Sequence, residues 1–306
     1  MLNIVVHGLG NLGKYAIEAL ESAPDMECIG VIRRKSSLGR NTIELRGIKD
    51  YESVESLMEK TGIKPDAAIL CTPSRNVYND APAYLNQGIC TVDSFDIHDE
   101  INKLLKTLEE PSKRGRAASI SAAGWDPGTD SILRTYLEAM APHGSTFTNF
   151  GRGRSMGHSV AARATEGVKD AVSITIPMGG GMHSRVVYVV IQNGYSLETV
   201  TANLKADNYF AHDSLRVIQV ADEAALSTVA DTSHGVLIER TGGFGSVSNQ
   251  QFRFDMRINN PALTSQILVA SARAVVKMQQ GVWTLIDVPP IYLLPGKRES
   301  LIHRLV

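Results

Sequence analysis

The sequence has few cysteines, few aromatic residues and no excess of charge of either sign. The charge balance and the cysteine content each exclude some classes of function. Of 306 residues only 3 are cysteine and 6% are aromatic, and the formal net charge is -1. A chain so close to neutrality has no overall field that would attract nucleic acid or an anionic membrane. Cys28, Cys71 and Cys90 are an odd number without metal-ligand spacing, so we expect free thiols and no metal.

Long hydrophobic runs are also missing. No uncharged apolar stretch approaches the roughly 20 residues that a helix needs to cross a bilayer. The chain enters an apolar strand at once, without the cationic segment of a signal peptide. These absences predict a soluble cytoplasmic protein with no membrane or nucleic-acid partner.

What the sequence does have, in its first 123 residues, is an alternation of short apolar strands and helical patterns. We predict strands at 3–7, 27–32, 67–71, 88–92 and 117–122, and helices at 14–22, 77–86 and 99–110. A basic segment facing solvent is expected at 111–116. Such alternation indicates a parallel sheet with crossover helices, and therefore an α/β, Rossmann-like, doubly wound domain.

The pattern changes after residue 124. Beyond a helix predicted at 130–140, strand patterns dominate, at 145–150, 171–176, 185–191, 215–220, 235–240 and 250–258. Many of them alternate polar and apolar residues, as an antiparallel sheet with one covered face does. With a helix at 261–279, this predicts a second, α+β domain over 124–281.

A glycine pattern typical of dinucleotide-binding turns follows the first strand. In the segment 7–13 (HGLGNLG), Gly8 permits a tight turn, Gly10 lets the backbone approach a pyrophosphate, and Gly13 allows close contact between helix and strand. The intervening Asn11 and Leu12 belong to the same predicted cofactor contact. The alternative is a glycine-rich turn that binds nothing.

The choice of cofactor is made where the second strand ends. A site that prefers NAD often has an acidic residue there, whereas this chain has Arg33, Arg34 and Lys35. Guanidinium groups suit a 2′-phosphate, so the sequence predicts NADP(H); the alternative is a solvated basic turn. Further candidate cofactor contacts follow the strand predicted at 67–71: Cys71, Thr72, Pro73, Ser74 and Arg75. The alternative is that these residues form an ordinary loop.

Four further segments supply a family resemblance. They are TVDSFD at 91–96, GWDPG at 124–128, GRGRSMGHS at 151–159 and NNP at 259–261. Together with the N-terminal glycine turn, they make the chain resemble the meso-diaminopimelate dehydrogenases over essentially its full length. The resemblance implies NADP-dependent, reversible oxidative deamination of the D-centre of meso-2,6-diaminopimelate. The products are L-2-amino-6-oxopimelate, which cyclises to tetrahydrodipicolinate, and ammonia; in reverse the reaction supplies lysine and cell-wall precursor.

The resemblance also implies residue roles. Asp96 and Asp126 match the two aspartates at the reacting centre, although each could instead cap a turn or helix. Asp93 and Ser94 match cofactor contacts. The implied substrate contacts are Trp125, Phe150, Met156 and Gly157 near the reacting centre, and Thr175, Arg185, His234 and Asn260 at the far carboxylate.

Taken singly, these candidates have ordinary structural interpretations. Trp125, Phe150 and Met156 could be packing residues, Arg185 a charge on a strand face, and His234 a loop histidine. The resemblance further implies that the tail, 282–306, packs on the dinucleotide domain, and that the second domain forms at least a homodimer.

Two other functions remain open. Some relatives are more polar at Met156 and Val160, which leaves room for a dehydrogenase of broader D-amino-acid specificity. A non-catalytic NADP-binding sensor is the alternative from another class.

Overall fold

The computed structural model describes residues 1–40, 43–179, 181–230 and 233–306. It forms two compact units. Unit 1 comprises Met1–Ile132 and Pro261–Val306, and unit 2 comprises Leu133–Asn260.

The strands and helices of the described residues are numbered in chain order. The strands are β1 (Leu2–His7), β2 (Met26–Ile32), β3 (Asp50–Tyr51), β4 (Ala67–Leu70), β5 (Cys90–Asp93), β6 (Ala118–Ile120), β7 (His143–Phe150), β8 (Gly153–Ser155), β9 (Val168–Gly179), β10 (Met182–Ile191), β11 (Ser214–Gln219), β12 (Ser233–Phe244), β13 (Val247–Asn259) and β14 (Gly281–Trp283). The helices are α1 (Asn11–Glu21), α2 (Val54–Thr61), α3 (Val77–Leu85), α4 (Ile101–Gly115), α5 (Thr129–Met140), α6 (Met156–Ala164), α7 (Leu197–Ala206), α8 (Glu223–Val229), α9 (Asn260–Val275) and α10 (Arg298–Leu305).

Unit 1 is built on a seven-stranded sheet in the order β14-β6-β5-β4-β1-β2-β3, and every pairing in it is parallel. Its central strands are apolar runs such as Ile4, Val5 and Val6, all fully buried. Strands buried on both faces read as continuous apolar segments, which is why the sequence identified them. The predicted doubly wound parallel sheet is confirmed.

Helix α9 belongs to unit 1, whereas the sequence assigned 261–281 to the second domain. The difference has a packing cause: Leu268, Val269 and Ala272 are fully buried in the core of unit 1. Arg273 also donates two hydrogen bonds to Asp25, of 2.6 and 2.8 Å, and these hold the pKa of the Asp25 carboxyl below its usual value. The apolar pattern of α9 does not by itself say which core it covers.

The basic side chains of the segment 111–116 are exposed, as predicted, but the segment is not separate from the preceding helix, because α4 continues through it to Gly115. Leu104, Leu108 and Ser112 lie on one buried face of this helix, so its last turns are held against the unit despite Pro111. The Ser112 hydroxyl donates to the Ala117 carbonyl over 2.7 Å.

Unit 2 contains two sheets, with strand orders β11-β10-β9-β8 and β13-β12-β7. All of their pairings are antiparallel except β10–β11, which is parallel. The predicted, largely antiparallel second domain is therefore confirmed. The sequence missed α7 and α8, which are short and begin at the capping side chains Ser196 and Asp222.

Two predicted absences concern the chain as a whole. Across the described residues, no helix has both the length and the apolar character that crossing a membrane requires. The three cysteines are free thiols.

Candidate functional site

The candidate residues of unit 1 follow the carboxyl ends of its parallel strands. Loops leave β1, β2, β4, β5 and β6 at the same edge of the sheet. In open α/β sheets this edge is where ligands bind, because the connections to the helices diverge there.

The glycine turn between β1 and α1 is dictated partly by packing. A Cβ on Gly8, whose φ is +100°, would lie 2.8 Å from the Cys71 carbonyl oxygen, and one on Gly13 would lie 2.0 Å from that of Gly8. Only glycine fits either position. Gly10, in contrast, has nothing within 4 Å of its Cβ position, so open space lies in front of the turn.

The same open space faces the start of α1. The first turn of this helix has no acidic residue, and its N-cap residue, Gly10, has no side chain to accept from the first N–H groups. Such a terminus favours an anion through its N–H groups and its dipole, so the cradle fits a pyrophosphate. Asn11 is exposed there, whereas Leu12 packs against the core and its carbonyl accepts from Ser265 over 2.8 Å.

The three basic residues after β2 do not behave alike. Arg33 forms a 2.9 Å ion pair with Asp50, and both side chains are largely buried. The Lys35 side chain is 89% exposed, and its amine lies 3.9 Å from a Glu52 oxygen. Arg34 is exposed and forms no ion pair with the described residues. Arg34 and Lys35 are therefore the members of the set that can turn to a phosphate.

Two hydroxyl groups of the loop after β4 each donate a hydrogen bond to a carboxylate. Thr72 donates to Asp80 and Ser74 donates to Asp96, each over 2.6 Å. Cys71 is buried, which raises the pKa of its thiol to about 12 and keeps it neutral. Its side chain is thus a packing group, while Pro73 and Arg75 are exposed.

A buried carboxylate joins the loops that carry the two predicted catalytic aspartates. Asp93, fully buried at the end of β5, accepts from the Phe95 amide over 3.0 Å and the Ala122 amide over 3.2 Å. Its other oxygen accepts from the Ser121 hydroxyl over 2.7 Å. Burial raises the pKa of Asp93 to about 6, although these hydrogen bonds oppose the shift. Protein donors surround this carboxylate, which therefore fixes the two loops to one group.

The turn after β6 presents Trp125 and Asp126. It is closed by hydrogen bonds from the Gly124 amide to the Pro127 carbonyl and from the Asp130 amide to the Trp125 carbonyl, and the Asp126–Pro127 peptide is cis. A Cβ on Gly124 would lie 3.4 Å from that of Ser94. The loops of Asp96 and Asp126 are therefore neighbours, with Asp126 half-buried and Trp125 buried.

In unit 2, β9 and β10 place Thr175 directly opposite Arg185. The Arg185 Nη1 donates to the Thr175 hydroxyl over 2.9 Å, and both residues are buried. The Phe150 ring lies 5.2 Å from that of His183 and 6.2 Å from that of His234. These contacts involve predicted residues of four strands, β7, β9, β10 and β12.

The other predicted residues of this unit lie at its edges. Asn260 is buried and donates to the Arg154 carbonyl over 3.2 Å. Met156 and Gly157 begin α6 and are half-buried.

Sequence reasoning missed a carboxylate in unit 2. Asp213, just before β11, accepts a hydrogen bond from the Arg185 Nε, and its oxygens lie 3.4 Å from the Nε2 atoms of His158 and His183. Burial opposes ionisation of Asp213, but hydrogen bonds from the two histidines and the charge of Arg185 outweigh it and hold its pKa well below the usual range. No spacing in the sequence marks this aspartate, because its partners come from two other elements.

The parallel sheet, its glycine turn and the loops at its carboxyl edge define an oxidoreductase with a dinucleotide-binding Rossmann fold. Residues 2–92 match the family described as oxidoreductase family, NAD-binding Rossmann fold. Residues 124–182 match the diaminopimelic acid dehydrogenase C-terminal domain. The meso-diaminopimelate D-dehydrogenase of Bacteroides fragilis is 50% identical over 299 residues, which cover 98% of this chain and 97% of that protein. The chain belongs to the meso-diaminopimelate D-dehydrogenase family.

Two solved structures extend the likeness. The DAP dehydrogenase of C. glutamicum in complex with DAP has a TM-score of 0.87 and 26% identity, covering 100% of this chain and 99% of that one. An engineered D-amino acid dehydrogenase bound to NADP+ has a TM-score of 0.89 and 25% identity, with coverage of 100% and 99%.

Replacing Asp93 with asparagine should change how stability depends on pH. The folded pKa of about 6 exceeds the value of about 3.9 expected for an unfolded aspartate. As pH rises through this interval, the unfolded state ionises first, so the wild type loses stability that Asp93→Asn, which cannot ionise, retains. We expect the free energy of unfolding of the wild type to fall by about 1–3 kcal/mol relative to the variant between pH 4 and 7. Urea unfolding at several pH values measures this difference, and parallel curves would contradict it.

Proposed function

We propose that the protein catalyses the reversible, NADP-dependent oxidative deamination of the D-centre of meso-2,6-diaminopimelate to L-2-amino-6-oxopimelate and ammonia. The observation that supports this most directly is the pairing of Asp96 and Asp126 on neighbouring loops at the carboxyl edge of the dinucleotide-binding sheet. The named relatives supply the identity of the substrate.

In this proposal Asp96 and Asp126 bind the ammonium of the D-centre, orient it and accept its proton. Two carboxylates at a cationic amine stabilise its charge and fix its direction, which contributes to rate through orientation and proton transfer. The Ser74 hydroxyl holds Asp96, so this carboxylate is placed before a substrate arrives. Trp125 lies beside Asp126 and, being buried, helps to exclude water.

The reaction at the D-centre then has two stages, oxidation of the amine and hydrolysis of the resulting iminium. The Cα–H bond breaks and its hydride leaves with both electrons, while the amine loses a proton, so the product is an iminium. Water adds to the iminium carbon, and the C–N bond breaks to release ammonia and leave a carbonyl. Bound NADP+ supplies the hydride acceptor, and the residues described above bind, orient and move protons.

We assign cofactor binding to unit 1. The open space before Gly10, the uncapped start of α1 and the exposed Arg34 fit the pyrophosphate and the 2′-phosphate of NADP(H). Asn11, Thr72 and Ser94 are the remaining side-chain contacts that we propose.

We assign the far carboxylate of the substrate to unit 2. Arg185 and Thr175 provide buried donors that are already adjacent, and His234 and Asn260 add two further buried polar side chains. A carboxylate matches such donors, and a substrate that lacks it leaves them unpaired. Phe150, Met156 and Gly157 remain proposed contacts nearer the reacting centre.

The first test is NADPH formation from NADP+ with meso-diaminopimelate, its L,L isomer, D-alanine and D-phenylalanine. We expect turnover of the meso isomer and none of the L,L isomer, which has no D-centre. In Asp126→Asn, kcat should fall about 10²- to 10⁴-fold, the usual contribution of a proton-transfer group. Asp170→Asn is the control. Asp170 lies in unit 2, where it is ion-paired with Arg163, and this variant should retain full activity.

Other outcomes of this assay name other functions. Comparable rates on D-alanine and D-phenylalanine would identify a broad D-amino-acid dehydrogenase. Tight NADPH binding without turnover of any amine would replace the enzyme with a sensor.

Replacing Arg34 with alanine tests the cofactor. Losing one charge-assisted contact to the 2′-phosphate should weaken NADP+ binding about tenfold or more and leave NAD+ binding unchanged. Fluorescence titration with both cofactors measures this, with Arg114→Ala, an exposed arginine on α4, as the control. Equal effects on the two cofactors would argue against a 2′-phosphate contact.

We also propose that copies of the chain pair through unit 2. This unit exposes several large apolar side chains, between 45% and 65% accessible: Phe147, Met178, Met182, Phe244 and Val247. Such groups on a sheet domain favour burial against a second copy. Sedimentation velocity should give at least twice the mass of 33.2 kDa, and a single-chain mass at micromolar concentration would contradict the pairing.

A further inference from the structure

The cluster around Asp213 in unit 2 contains Arg185, to which a substrate contact has been assigned, and three residues without an assigned role. It joins Arg185 on β10, His158 on α6 and the half-buried His183 to one carboxylate. The side chains of Arg185 and Asp213 are only 11% and 14% exposed. A carboxylate so enclosed is costly unless several donors compensate it, and three donors meet here.

The geometry distributes the partners of Arg185 around its guanidinium group. Asp213 accepts from Nε, whereas Thr175 accepts from Nη1 over 2.9 Å. Nη2 lies 3.4 Å from the His183 Nε2. Because this His183 nitrogen also contacts Asp213, it cannot donate to that carboxylate and accept from Nη2 at once. Asp213 and Thr175, which accept at different edges of the guanidinium group, therefore fix its orientation.

Asp213 is itself held by the fold. The His158 Nδ1 lies 3.0 Å from the Ser155 hydroxyl, so the ring that contacts Asp213 through its other nitrogen is held at both ends. The network thus runs from Ser155 through His158 and Asp213 to Arg185.

We propose that Asp213 is a positioning residue, which presets Arg185 to receive the far carboxylate of the substrate. The inference rests on the proposed function, which assigns that carboxylate to Arg185. A free arginine side chain loses rotamer entropy when it is immobilised, and a preset one does not lose it again on binding.

A competing effect has the opposite sign. The charge of Asp213 also repels a substrate carboxylate, and if repulsion dominated, removing it would tighten binding. Two variants separate these effects. Asp213→Ala removes both the charge and the acceptor, whereas Asp213→Asn keeps the shape and an acceptor oxygen for Arg185.

The experiment is steady-state kinetics with meso-diaminopimelate on the full-length wild type, both Asp213 variants and the control Asp170→Asn. We expect Asp213→Ala to raise KM about tenfold, the size of one charge-assisted hydrogen bond, with kcat changed less than about twofold. Asp213→Asn should lie between it and the wild type. In an Arg185→Met background, Asp213→Ala should add less than about a twofold change in KM.

Several results would overturn the inference. A lower KM in both variants would show that repulsion dominates. A structural role would follow from either of two results. One is a loss in kcat of Asp213→Ala as large as its rise in KM, and the other is the same tenfold effect of Asp213→Ala on KM in the Arg185→Met background.

A separate measurement distinguishes failure of the inference from failure of the proposed function. If the wild type does not turn over meso-diaminopimelate, the proposed function falls, and titration calorimetry with that compound decides the inference. Binding that Asp213→Ala weakens about tenfold would keep the positioning role. Absent or unaltered binding would end it.

Discussion

The buried carboxylate of Asp93 is the constraint on which the reacting end of the site depends. One oxygen accepts from the amide that leads toward Asp96 and from the amide that leads toward Asp126, and the other accepts from Ser121. Two loops from neighbouring strands are thereby fixed to one group. The raised pKa of Asp93 shows that this environment opposes its charge. Asp93 thus lowers stability while it holds the two loops that carry the proposed reacting residues. Unfavourable local arrangements of this kind persist at functional sites because the rest of the fold compensates them.

A second internal carboxylate, Asp213, has the reverse balance. The donors to Asp93 are neutral and burial raises its pKa, whereas at Asp213 the hydrogen bonds of two imidazoles and the charge of a guanidinium outweigh burial and lower the pKa. The two environments therefore suit different tasks. Asp93 accepts from neutral backbone amides and so holds two loops in place. Asp213 accepts from a guanidinium group and so holds a long, flexible side chain in place.

The sequence predicted the parts of the fold in which local pattern and burial agree. Five of the seven strands of the parallel sheet were recovered because they are largely apolar, whereas the short edge strands β3 and β14 were missed. The glycine turn was recovered because its spacing follows from close packing. Helix α9 was found but assigned to the wrong unit, since an apolar face does not identify its partner. Short elements such as α7 depend on a cap and on tertiary packing, and gave no clear period.

The site was predictable to the same extent. Motif positions brought Asp96 and Asp126 to adjacent loops, and Thr175 beside Arg185. Side-chain partners were not predictable, because Arg33 pairs with Asp50 across β2 and β3, and Asp213 meets residues from distant parts of the chain. Long-range ion pairs leave no spacing to read.

The pairing of Arg185 with Asp213 also bears on selectivity. A site rejects a substrate without a carboxylate most strongly when that substrate leaves a buried cation bare. Here the cation already has an internal counter-ion, so a short D-amino acid forfeits the contacts of the far carboxylate without creating an uncompensated charge. The penalty against such substrates is then that of lost hydrogen bonds, which is smaller than that of a buried unpaired charge. Under the role proposed for Arg185, selectivity for a dicarboxylate depends less on the presence of this arginine than on how completely the substrate satisfies the donors around it.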